Sequence, residues 1–191
     1  NFKRLVVLDG ELEDFSKFYE GWKILFSSVA GNVEDEKTTK LLQQTAEDAG
    51  FKTRFAYVDE VEFNDEEGVF FDGENYEYWF KLVPWEDIAV EEGELAIILK
   101  NIVQNQKAII LNPAYTLLFQ SKGILKILWD LYPNPPLLLQ ASDKPIAGKK
   151  CVKKPVFGRE GANVSVIEAD GSISSQNGGD YGQNRAIYQE F

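Results

Sequence analysis

Short apolar runs alternate with amphipathic stretches along the 191 residues. In residues 11–22, Leu12, Phe15, Phe18, Tyr19 and Trp22 recur at spacings of three and four, which predicts a short helix. Residues 23–29 form a continuous apolar run of strand length. Ala30-Gly31-Asn32 then reads as a turn. Asn32 is placed to cap a helix, and Glu34, Asp35 and Glu36 fill a first turn where the helix dipole favours anions. The helical pattern continues to about Ala49, with Leu41, Leu42, Thr45, Ala46 and Ala49 on one face, and Gly50 ends it. Residues 53–58 read as the next strand. Strand, helix and strand at this spacing predict a βαβ unit with parallel strands.

Beyond it, Asp72-Gly73 between apolar runs predicts a hairpin. Residues 76–82 are rich in aromatics and predict a strand, broken by Pro84. Residues 87–104 read as helical with an interruption near Gly93, and residues 108–111 as a short buried strand closed by Asn112-Pro113. Residues 114–132 predict one long helix with Leu117, Leu118, Ser121, Leu125, Leu128 and Tyr132 as its buried stripe. Pro133 and Pro136 end it, and residues 140–150 read as a linker or hairpin loop. Further strands are expected at 151–157, 163–167, 172–174 and 186–190, with a hairpin turn at Asp170-Gly171 and a flexible loop at 177–180.

Composition narrows the chemistry. The sequence has no His and a single Cys, Cys151, so His triads, Cys–His dyads, His-ligated metals and internal disulfides are excluded for this stretch. A lone thiol fits a reducing cytoplasm. Met is absent too, and the expectation is a piece of a longer chain. The net charge of −11 argues against duplex nucleic acid and anionic membranes as partners. No apolar run is long enough to span a bilayer. The charge is uneven: residues 1–100 carry 10 basic and 24 acidic side chains, and residues 101–191 carry 10 and 7. An acidic half joined to a mildly basic half suits a cation on one side and a phosphate on the other. A solvated acidic surface accounts for the same numbers.

The strongest constellation is the stretch from Val152 through Lys153, Lys154 and Pro155 to Gly158-Arg159-Glu160-Gly161. A strand delivers two lysines to opposite faces, so one of them faces a ligand. Glycines at both ends of the next loop let backbone N–H groups approach phosphate oxygens, and Arg159 has the geometry to clamp an oxyanion. An ordinary basic hairpin is the competing reading. Glu34, Asp35 and Glu36 follow the first strand of the βαβ unit, where open α/β sheets bind ligands. Carboxylates there suit a polyamine; helix capping explains them equally. Cys151 has no evident base and reads as a small buried residue.

Lys154-Pro155 with Gly158-Arg159-Glu160-Gly161 resembles the nucleotide-binding strand and glycine loop of ATP-grasp ligases. More narrowly, the chain resembles the glutathionylspermidine synthase family and the related acid–amine ligases. Four stretches carry the likeness. They are residues 24–28 with Glu34, Asp35, Glu36 and Thr38; residues 80–86; residues 112–129 around Ser121-Lys122-Gly123; and residues 152–164 with Ile187-Tyr188-Gln189. The resemblance implies that Lys154 and Lys122 contact ATP phosphates and that Gly158 and Gly161 frame the loop over them. It implies that Arg159 holds the acid or its acyl phosphate, that Gln189, Glu190 and Phe191 begin the hinge that bonds adenine through its backbone, and that Glu34, Asp35 and Glu36 bind the amine. Tyr115-Thr116 and Gln120-Ser121 depart from the family pattern. The metal ligands that the family carries upstream have no counterpart here, so magnesium is expected to be held outside this chain.

The expected fold is α/β: a Rossmann-like substrate domain of the pre-ATP-grasp kind over residues 1–111, then part of an ATP-grasp nucleotide-binding domain over residues 112–191. The expected function of the parent protein is ATP- and magnesium-dependent formation of an amide between a small acid, such as a glutathione-like peptide, and a polyamine-like amine. It would act in the cytoplasm, and the rest of the parent chain would complete the site. A catalytically inactive ATP-grasp-like binding module is the alternative, and a ligase acting on an amino acid is a third.

Overall fold

The computed structural model describes residues 21–191; the helix expected at 11–22 lies almost wholly outside them. Two compact units divide between Ala114 and Tyr115.

The first unit is built on a four-stranded parallel sheet. Strand β1 (Lys23–Ser28) leads through helix α1 (Val33–Asp48) to β2 (Lys52–Tyr57), which pairs parallel to β1. The expected βαβ unit is therefore present. Both helix ends follow from local chemistry. Asn32 Oδ1 accepts the N–H groups of Glu34 and Asp35 at 3.2 and 3.1 Å. At the other end Gly50 takes φ +94°, and the N–H groups of Gly50 and Phe51 close onto the carbonyls of Glu47 and Ala46.

An antiparallel three-stranded sheet follows, of β3 (Glu62–Asn64), β4 (Gly68–Phe71) and β5 (Glu74–Tyr76). Its expected hairpin turns at Asp72 and Gly73, both left-handed at φ 54° and 73°, which matches the twist of the flanking strands. The chain then returns as β6 (Tyr78–Leu82), breaks at Pro84, and forms α2 (Trp85–Glu91), α3 (Gly93–Gln104) and β7 (Ile109–Leu111). The sheet order is β2-β1-β6-β7. Ile24 and Phe26 on one face pack with Ala46 and Leu42 of α1 and with Phe55, Tyr78, Phe80 and Leu111. Trp79 and Lys81 alternate to the other face, where the Trp79 indole donates to Ser27 Oγ at 3.0 Å.

The second unit departs from expectation at its helix. Residues 114–132 are not one helix. A single turn at Ala114–Thr116 leads into α4 (Leu117–Gln120), Ser121 is extended with ψ 118°, and α5 (Gly123–Leu131) starts afresh. The cause is a tertiary hydrogen bond. The Lys122 N–H donates to Val156 O at 2.8 Å instead of to a carbonyl four residues back. Nor is the apolar stripe buried: Leu118, Leu128 and Tyr132 are exposed, and α5 has no buried residue. After β8 (Ala141–Ser142) come β9 (Cys151–Pro155), β10 (Ser165–Ile167), β11 (Ile173–Gln176) and β12 (Ala186–Glu190). They form an antiparallel sheet in the order β11-β10-β9-β12-β8, with β9 at its centre.

Among the described residues one charged side chain is buried outright. Lys81 has 0% exposure; its ammonium donates to Val83 O at 2.6 Å and lies 3.9 Å from the centre of the Trp85 ring. Desolvation lowers its pKa to about 8, against the opposing pull of Glu86 and Asp87.

Two outcomes are expected. Asn32→Ala should cost about 1 kcal/mol of stability, read as a shift in the denaturant midpoint; an unmoved midpoint would refute the cap. Because the folded pKa of Lys81 lies below the ordinary lysine value, the unfolded chain holds the extra proton between them. Stability from this group therefore rises with pH across that window. The Tm of wild type relative to Lys81→Met should climb between about pH 8 and about pH 10.5. A difference that stays constant would show that Lys81 does not titrate there.

Candidate functional site

Two groups of polar residues stand out, one in each unit. In the second unit, β9 carries Lys153 and Lys154 to opposite faces. Lys153 is exposed, whereas the Lys154 ammonium reaches across to β12 and donates to Gln189 Oε1 at 2.8 Å. Lys154 sits opposite Ile187 in the ladder, so Gln189, two residues on, shares its face. The loop after β9 opens at Gly158. Lys122, displaced from the helical path by its bond to Val156, places its ammonium 2.6 Å from Gly158 O. The lysine of one element thus reaches a loop 36 residues later in the chain.

The loop backbone is unusual. Glu160, Gly161 and Asn163 have φ of 52°, 74° and 55°. Ala162, Asn163 and Val164 spend their N–H groups on Arg159, Gly178 and Gly161 carbonyls. A Cβ on Gly158 would lie 3.3 Å from Pro155 Cβ, a tight contact that a side chain would have to push against. The amides of residues 162–164 are thus engaged within the loop and with its neighbour, and the positive charge beside the loop comes from the Lys122 ammonium at its first carbonyl. Arg159 is exposed on the loop.

Sequence reasoning missed what holds this loop. Residues 177–184 lie along it. The Asn177 side chain donates to Gly161 O at 3.2 Å, and the Asn184 side chain to Phe157 O at 3.2 Å. Asn163 Oδ1 accepts the Tyr181 N–H at 2.8 Å. Gly179 admits no Cβ, which would fall 2.6 Å from Ala162 Cβ. The run of Asn and Gly in this stretch was the available signal; it reads as flexible loop until its partners are known.

At the far end of β12, the Glu190 carboxylate pairs with Lys149 at 3.0 Å, and Phe191 faces the Lys150 ammonium at 4.5 Å. The N–H groups of Glu190 and Phe191 donate to Gln140 and Lys150 carbonyls. Cys151 is a free, buried thiol.

The other group lies at the carboxyl edge of the parallel sheet. The three acids opening α1 are not equivalent. Asp35 accepts the Asn32 side-chain amide at 2.7 Å. Glu36 accepts from Lys40 at 2.5 Å and from the Tyr57 hydroxyl at 3.0 Å, and these bonds hold its carboxyl below the usual range. Glu34 is exposed, and its carboxylate has no partner among the described residues. Buried Ser28 Oγ at the end of β1 and buried Asn112 Oδ1 just past β7 also lack hydrogen-bond partners. Native proteins rarely leave such atoms unpaired, and the carboxyl edge of a parallel sheet is where ligands dock. Among the described residues no group of three or more His, Cys, Asp or Glu side chains could hold a metal ion. No helix among them is long and apolar enough to cross a membrane.

The chain is similar to several known proteins. The family described as "Glutathionylspermidine synthase preATP-grasp" matches residues 1–191. A Haemophilus influenzae protein named "Putative acid–amine ligase" is 32% identical over 168 residues, covering 82% of this chain and 41% of the relative. The bifunctional glutathionylspermidine synthetase/amidase of Escherichia coli is 24% identical over 184 residues, covering 84% of this chain and 29% of the relative. The chain therefore spans less than half the length of either. In fold it is similar to the D-cycloserine synthetase DcsG, with a TM-score of 0.51 at 10% identity over 88% of this chain and 59% of that one. The matched family model and the α/β architecture lead to one statement: the chain belongs to the glutathionylspermidine synthase pre-ATP-grasp family.

Proposed function

We propose that the protein carrying this chain is an ATP-dependent ligase that joins a small acid to an amine through an amide bond. The observation that carries the reading is that Lys122 reaches the first carbonyl of the Gly158–Gly161 loop, while Lys154 projects from the strand that leads into that loop and is held by Gln189. Family membership supports it. In this reading residues 112–191 are part of the nucleotide-binding domain, residues 1–111 form the substrate domain, and further parts of a longer chain cover the exposed apolar residues of α5.

A carboxylate oxygen of the acid attacks the γ-phosphorus of ATP, and ADP leaves. The amine nitrogen then attacks the acyl carbon, phosphate departs, and the nitrogen loses a proton. Such chemistry depends on positioning and charge stabilisation. Lys122 and Lys154 offset the charge of the phosphates. To do so the two ammonium groups exchange Gly158 O and Gln189 Oε1 for phosphate oxygens, a trade of neutral for charge-assisted hydrogen bonds. Arg159, on the same loop, holds the carboxylate and then the acyl phosphate. Gln189, Glu190 and Phe191 begin the adenine hinge. With their N–H groups committed to the sheet, the next residues and the hinge carbonyls complete it.

Magnesium belongs to the proposed reaction, but the described acids do not form a cluster for it; no residue here is assigned to it. Glu34 is the acid best placed to meet a cationic amine, since Asp35 and Glu36 are engaged within α1 and β2. Family membership supports a thiol peptide as the acid and a polyamine as the amine. The buried lone Cys151 suits a reducing cytoplasm.

ADP release by the full-length protein, with magnesium and ATP against a matrix of thiol peptides and polyamines, tests the reading. Release that requires both an acid and an amine is expected. ATP binding with no release from any pair would favour an inactive binding module instead. Loss of one charged hydrogen bond to phosphate costs roughly 1.5–3 kcal/mol. Lys154→Ala should therefore weaken ATP binding about ten-fold or more in calorimetry; unchanged affinity would remove Lys154 from the nucleotide site.

A further inference from the structure

Lys81 is unexplained by the nucleotide chemistry. A buried ammonium carries a desolvation penalty that an apolar side chain would avoid, so the strand end it occupies gains something other than burial. Its contacts show what. Lys81 stands at the carboxyl end of β6, between β1 and β7, opposite Ser27 in the ladder. Its ammonium holds the carbonyl of Val83, where β6 turns into α2, and packs over the Trp85 ring. The Trp85 indole donates to Asn112 O at 2.8 Å, and the Asn112 side-chain amide donates back to Lys81 O. A closed ring of contacts therefore joins the end of β6, the start of α2 and the residue after β7. On the same face the Trp79 indole bonds Ser27 and extends the ring to the end of β1. From β1 the chain passes through the turn at residues 29–32 into α1, whose first turn carries Glu34, Asp35 and Glu36.

We propose that Lys81 is a positioning residue for the amine half of the reaction: with Trp85 and Asn112 it sets the carboxyl ends of β6 and β7 beside the acidic turn where the amine docks. The role rests on the ligase reading above. Lys81 does not touch substrate, because its side chain is fully buried. It acts through the strand ends, and strand ends displaced by a fraction of an ångström misplace whatever docks on them. An apolar side chain would fill the space but leave Val83 O without its ammonium and the indole without its cation. The groups facing Lys81 are Glu86 and Asp87 on α2, whose charges favour the ammonium, while burial opposes it. The clamp is therefore sensitive to pH in the mildly alkaline range.

The test is steady-state kinetics on the full-length protein with Lys81→Met and Lys81→Arg, reading KM for the amine and for ATP separately. Lys81→Met should raise the amine KM by about ten-fold or more and leave the ATP KM within about two-fold. Lys81→Arg keeps a charge that does not titrate. The ratio of wild-type to Lys81→Arg amine KM, in which titration of the amine itself cancels, should rise as the pH passes about 8. An unchanged amine KM in folded Lys81→Met, or equal rises for amine and ATP, would overturn the role while leaving the ligase reading intact. Should Lys81→Met not fold, the arginine variant decides: a ratio that climbs with pH supports the role, and a flat ratio overturns it. A wild type that releases no ADP with any pair defeats the ligase reading itself, and the positioning role falls with it.

Discussion

The first unit depends on the insertion of β6 between β1 and β7. A strand in the middle of a parallel sheet has both faces covered and both rows of backbone groups paired, so it tolerates no slip of register. The ladder Ile24 to Tyr78, Phe26 to Phe80 and Ser28 to Leu82 therefore dictates where the strand stops. It also dictates that Lys81 ends up buried. From that one placement follow the turn at Val83, the seat of Trp85 and the anchoring of Asn112, and with them one side of the sheet edge on which a ligand would dock.

The second unit solves a different problem. Its sheet is antiparallel, and β9 pairs on both sides, which holds Lys154 against β12 and sends the Gly158 loop out from a rigid strand. The loop is not held by its own sequence. The side chains of Asn163, Asn177 and Asn184 lace it to the segment that precedes β12, and Lys122 holds its first carbonyl. A loop that is ordered before a ligand arrives spares binding the ordering cost. Contacts from both sides of the loop meet that cost during folding.

The two edges are complementary in charge. The carboxyl edge of the parallel sheet presents Glu34 beyond two acids already engaged, and the glycine loop carries the Arg159 guanidinium and meets the Lys122 ammonium.

Local chemistry alone determined a good deal. Asn32 and Gly50 bound α1 because caps act within one turn, and Asp72-Gly73 turns the hairpin because both positions need positive φ. The βαβ unit is legible because period and length suffice to distinguish strand from helix. The lysine strand and glycine loop are legible because their residue types restrict the backbone. What the sequence could not announce is where long-range partners compete with local ones. Residues 114–132 have the period of a single helix, yet the amide of Lys122 goes to Val156, a bond that exists only once β9 is in place. The stripe on that helix looks like a core because periodicity records which face is apolar, not what covers it. Lys81 looks like a solvated charge in an aromatic strand until the sheet buries it, and the asparagines of residues 177–184 look like slack until the loop lies beside them. In each case the deciding interaction joins residues far apart in the chain, and only the tertiary structure brings them within hydrogen-bonding range.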